Sequence, residues 1–126
     1  MEIEKLIRQE MNTIPGIRNN VYPLYAPKDV KAPYAVYSKQ SINFLMSLNG
    51  KLGNVDAVYN VFIVAATYTA LQDIVLAAID KLFELRMRRI GEQGPFIQQV
   101  QVQHLGDSFD YEADLLQAQL QVKIFY

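Results

Sequence analysis

The chain has 126 residues, of which 51% are hydrophobic and 20% charged, and its 12 basic and 13 acidic side chains leave a net charge of −1. A chain of this length can bury its own core as one domain, residues 1–126, without disulfides or metals. Its near-neutral balance excludes the basic footprint of a dedicated nucleic-acid binder. The absence of cysteine excludes disulfides, thiolate metal sites and cysteine nucleophiles.

In the opening MEIEKLIRQEM, the residues Ile3, Leu6, Ile7 and Met11 fall at helical spacing and predict an amphipathic helix, which Ile14-Pro15-Gly16 stops. This segment lacks the basic start and apolar run of a secretory signal. The longest apolar run, Val61 to Ala66, is far short of the roughly 20 residues that span a bilayer. A cytoplasmic product without a membrane role is therefore expected.

The stretch YPLYAPKDVKAPYAVY, Tyr22 to Tyr37, is rich in tyrosine and proline. Its prolines do not have the spacing of a polyproline ligand. They bias Tyr22, Ala26 and Ala32 away from helix, so the segment reads as an extended arm leading into a strand. Tyr22, Tyr25 and Tyr34 can cover apolar surface while their hydroxyls stay wet, which suits either the edge of their own domain or contact with another copy.

From Tyr34 to Phe44 the residues are β-prone, and SLNGKLGN then supplies an Asn49-Gly50 turn before VDAVYNVFIVAAT. This predicts a hairpin with a long tip whose second arm, apolar on both faces towards its end, is a central strand. The glycines of NGKLGN lack the spacing of a phosphate loop. A capping box at Thr69 and Gln72 predicts the start of a second helix. Leu71, Ile74, Val75, Ala78, Ile79, Leu82 and Phe83 make its apolar stripe, and RMRRIG ends it, with Gly91 suited to a left-handed cap.

FIQQVQVQHL and LLQAQLQVKIFY alternate as strands, the second with Leu116, Ala118, Leu120, Val122, Ile124 and Tyr126 on one face. The expected fold is α+β in the order α-β-β-α-β-β. It has a mainly antiparallel four-stranded sheet, an N-terminal helix and one long helix packed on it. The sheet is fully antiparallel only if the strand after the helix skips a place; otherwise it contains one parallel pair.

Catalytic signatures are weak. His104, Asp107 and Ser108 invite comparison with a hydrolase triad, but all three fall on one predicted hairpin, whereas a triad needs its base held by a separate buried group. Asp110, Glu112 and Asp114 have the alternation of a calcium loop without its glycine or closing carboxylate. No catalytic, cofactor or metal residue is assigned, and no enzymatic activity is expected. Arg86, Arg88 and Arg89 form a basic patch that complements the helix dipole. Together with the acidic Asp107, Asp110 and Glu112, the patch could also make head-to-tail contacts between copies.

The order of VYPLYAP, APYAVY, LNGKLGNVDAVYNVFIVAATY, the helix from Thr69 and the closing DYEADLLQAQLQVKIFY resembles the phage tail-completion or tail-terminator proteins, head-tail joining proteins of the neck. Where such proteins often carry an aromatic-Arg pair before the last strand, this chain has Leu116-Gln117. The resemblance implies a structural virion protein that forms a ring of six, caps the tail tube and joins it to the head connector or stopper protein. DNA would pass through the lumen without specific binding. Such a protein works in the host cytoplasm during assembly and then at the head-tail junction of the virion. Another neck or connector component of the same fold, or a small α+β ligand-binding or enzymatic domain using His104 and the acidic hairpin, are the alternatives.

Overall fold

The computed structural model describes residues 2–46, 52–86, 88–90 and 96–126. The elements are α1 (Glu2–Met11), β1 (Val21–Pro23), β2 (Tyr34–Met46), β3 (Leu52–Ala65), α2 (Tyr68–Phe83), β4 (Gln99–Asp110) and β5 (Leu115–Phe125). The α+β class holds, but the sheet has five strands rather than four, in the order β1-β2-β3-β5-β4. The additional strand comes from the tyrosine-proline arm. Its first two residues, together with Val21 before them, run parallel to β2, with Val21, Tyr22 and Pro23 opposite Ala35, Val36 and Tyr37. A strand that short has no alternation to read, and its proline tolerates only an edge position.

The strand after α2 skips a place, so β2, β3, β5 and β4 are all antiparallel. Hydrophobic content explains the skip. On β5, Ala118, Leu120, Val122 and Ile124 are all buried, whereas only Val100 of β4 is. The strand with the continuous apolar face takes the interior position, and the one that is mostly exposed takes the edge. β3 is central, as its two-sided apolar end predicts, with Val61, Ile63, Val64 and Ala65 buried.

Both helices contribute to one core. Ile3, Leu6, Ile7 and Met11 of α1 and Leu71, Ile74, Val75, Ala78 and Leu82 of α2 pack with Ala57, Tyr59, Val61 and Ile63 of β3. Full burial of each large aliphatic side chain contributes about 1.5–3 kcal/mol, so docking outweighs intrinsic helix propensity here. Gly16, at φ +99, passes under Ile74 and Pro33, where a side chain would need the left-handed backbone.

Two helix ends differ from expectation. The N-cap of α2 is Thr67, whose Oγ1 accepts from the Ala70 amide, so the helix starts before Thr69. At the other end α2 stops at Phe83, capped at Glu84, before the arginines. The Asn49-Gly50 turn and Gly91 lie outside the described residues.

Candidate functional site

Among the described residues, the face of the sheet opposite α1 and α2 carries no helix. Towards the Tyr34 end of β2 it is apolar, with Val36, Phe62, Val64 and Leu115 lining an open groove of about 510 Å³ roofed by Leu24–Val30. The three tyrosines of the arm differ. Tyr22 is half-buried and donates to Asn20 Oδ1 at 3.1 Å, Tyr34 is half-buried in the groove wall, and Tyr25 is 75% exposed. Lys28 stands at the groove rim.

Beyond this apolar end the open face is rich in amides. Gln101 stands opposite Lys123, Gln103 opposite Gln121 and Ser108 opposite Gln117. The Gln121 amide donates to Gln40 Oε1 at 2.9 Å across the sheet. Long polar side chains without a matching run of charge make this face wet and electrostatically quiet.

β4 and β5 continue past the helices as a ribbon. Every residue from Gln103 to Asp114 is exposed, including Tyr111 at 87%. The tip is locally ordered: Asp110 Oδ1 accepts from the Glu112 and Ala113 amides, and the Phe109 and Tyr111 rings meet edge to face at 4.8 Å. Asp107, Asp110, Glu112 and Asp114 make this ribbon acidic.

At the base of the ribbon His104 Nε2 lies 2.8 Å from Asp107 Oδ1, and the Gln72 amide donates to Asp107 Oδ2 at 3.0 Å. The pair is partly exposed. A bulge between His104 and Gly106 brings it together, turning His104 and Asp107 to the helix side while strand alternation sends Ser108 to the opposite face. His104 and Asp107 therefore meet without Ser108 beside them. Among the described residues no group of three His, Asp or Glu side chains could hold a metal ion.

The arginines lie at the other end of the strands. Arg88 pairs with Glu10 of α1, Arg89 stacks over the Phe96 ring at 4.6 Å, and Arg86 is exposed. The Arg88 carbonyl accepts from Ile97 and the next amide, Gln98, donates to Phe125, the last residue of β5. The basic patch and the acidic ribbon are thus separated by the length of the sheet. Sequence spacing identified the patch but gave no sign that Glu10, nearly eighty positions away in the chain, would engage one of its members.

The architecture defined by these elements is an α+β domain with both helices on one face of a five-stranded sheet and the other face open. A solved structure with this fold is a chain of the virion of a native gene transfer agent particle, with a TM-score of 0.71 at 10% identity. The match covers 94% of this chain and 90% of that one. No protein-family model matches the sequence, and no curated protein matches it. No helix among the described residues is long and apolar enough to cross a membrane.

Proposed function

We propose that this chain is a structural virion protein of a phage-type particle, acting as a tail-completion protein. Six copies form a ring that caps the tail tube, stops its growth and joins it to the head connector, leaving a channel for DNA. The observation that carries this reading is the fold shared, over nearly the whole of both chains, with a component of a gene transfer agent virion. The amide-rich, weakly charged open face is compatible with DNA passing without being held. The surfaces proposed to make contacts are Tyr22, Tyr25 and Tyr34 on the arm, Asp107, Asp110 and Glu112 on the ribbon, and Arg86, Arg88 and Arg89 at the opposite end.

The test is assembly. Purified protein mixed with tail tubes should cap one tube end and appear as rings by negative-stain microscopy. A protein that remains monomeric and never binds tube ends would overturn the reading. Binding to the connector alone would place it elsewhere in the neck.

A further inference from the structure

We propose that copies of this chain join edge to edge, β4 of one running antiparallel beside β2 of the next, so that the acidic ribbon lies against the neighbour's lysine-bearing arm. This rests on the head-to-tail assembly proposed above and specifies its interface.

The sheet has two open edges. Among the described residues β1 pairs with Ala35–Tyr37, and no strand pairs with β2 on that side from Ser38 onward. β4 is outermost on the other side along its whole length. Monomeric proteins protect long edges with charge, proline or bulges. The stretch Gln99-Val100-Gln101-Val102-Gln103 has none of these: it is uncharged and β-prone, and its first bulge comes only between His104 and Gly106. Such an edge is a template for another strand.

Strand direction fits. β2 and β4 are separated by three successive antiparallel pairings and therefore run oppositely within one subunit. A ring whose axis follows the strands keeps that direction in every copy, so β4 meets the next β2 antiparallel and the alternation continues across the junction. Opposite edges of one sheet are distinct surfaces, and repeating such a contact closes a ring when the rotation allows.

The register adds chemistry. Gln99, Gln101 and Gln103 lie in the same cross-sheet rows as Asn43, Ser41 and Ser38. The uncharged part of the β4 edge thus stands level with the uncovered part of β2, where the bulged Gln40 makes six residues span the height of five. Asp107 shares its row with Ala35 and Val21, the level at which β1 covers β2. There the neighbour presents its arm, on which Tyr25, Lys28, Asp29 and Lys31 are all exposed. Gln99, Gln101 and Gln103 then meet Asn43, Ser41 and Ser38, and beyond Asp107, whose carboxylate is engaged on the helix side, the ribbon carries Asp110 towards the lysines.

Engineered disulfides test this cleanly because the chain has no cysteine. Gln101→Cys is combined in turn with Ser38→Cys, Ser41→Cys and Asn43→Cys, all on the open face, and each variant is oxidised after assembly on tail tubes. At least one combination should give a cross-linked ladder ending at the ring, because facing strands bring Cα atoms within disulfide reach, while each single variant should give none. A dimer from Gln101→Cys alone would show a two-fold β4–β4 contact and overturn the proposal. Rings that form without any cross-link would overturn the pairing and leave the proposed function standing. Absence of both rings and tube binding in the unmodified chain would overturn the function itself. Circular dichroism of each reduced variant separates misfolding from failure to pair.

Discussion

The Gln72 amide reaches from the first turns of α2 to Asp107 Oδ2, 3.0 Å away on β4, and so fastens the base of the exposed ribbon to the helical layer. His104 holds the second oxygen of the same carboxylate. The contact is partly exposed, where hydrogen bonds contribute little to global stability but can limit local opening. Asp107→Ala should therefore cost about 1 kcal/mol or less in denaturant unfolding. Hydrogen exchange from Leu105 to Asp110 should nevertheless quicken several-fold. Unchanged exchange in that segment would show that the ribbon is held by strand pairing alone.

Much of this architecture could be read from the sequence because alternation and helical spacing are direct consequences of burial. The stripe of α2 and the apolar face of β5 are examples. What could not be read were choices between equivalent local signals. Thr67 and Thr69 both precede the stripe, and a capping-box pattern favoured Thr69, but Gln72 is occupied by Asp107 and the cap falls to Thr67. Likewise, Arg88 looked like its neighbouring arginines until the fold placed Glu10 beside it.

The cap assignment can be measured. Thr67→Ala should destabilise the domain by about 1 kcal/mol, since it leaves a helix N–H without its acceptor. Thr69→Ala, at an exposed helical position, should change stability by less than about 0.5 kcal/mol. Thermal or urea unfolding of the two variants distinguishes the sites, and equal losses would contradict the observed cap.

Arg88 and Glu10 link the segment after α2 to α1, with the carboxylate side chain only 12% exposed. Pairs this close to the surface contribute modestly, so a double-mutant cycle of Arg88→Ala and Glu10→Ala should give a coupling of roughly 0.5–1 kcal/mol in the isolated subunit. Reversing Arg86 and Arg89 to glutamate should leave that coupling unchanged, because neither takes part in the pair. If those reversals impair tube capping without lowering the melting temperature, the exposed end of the patch faces a partner.

Tyr59 is fully buried and its hydroxyl points to Glu4. Burial pushes its pKa well above the ordinary 10.0, and the Glu4 carboxylate adds to the effect. Burial also raises Tyr37, against the opposing influence of Arg8, and Tyr126. Above about pH 10 the unfolded chain releases these protons first, so it binds fewer protons than the native state and stability falls as pH rises. Unfolding free energy should be nearly flat from these groups below that range and decline above it. Tyr59→Phe should reduce the decline; an unchanged alkaline slope would mean that Tyr59 does not contribute to it.

Tyr25 separates domain packing from assembly more sharply than its neighbours on the arm. Tyr22 is tied to Asn20 and Tyr34 is built into the groove wall, whereas Tyr25 leaves three quarters of its surface in solvent. Replacing an exposed side chain away from the core usually changes stability by no more than about 0.5 kcal/mol. If the neighbour's ribbon rests against the arm, the same ring is a desolvated aromatic anchor in the assembled state, where truncation commonly costs more than about 1 kcal/mol of binding. Tyr25→Ser should therefore melt like the unmodified chain yet cap tubes at least several-fold less efficiently in a titration read by microscopy. Equal capping at every concentration would remove the arm from the contact surface, while a lowered melting temperature would assign Tyr25 to its own domain.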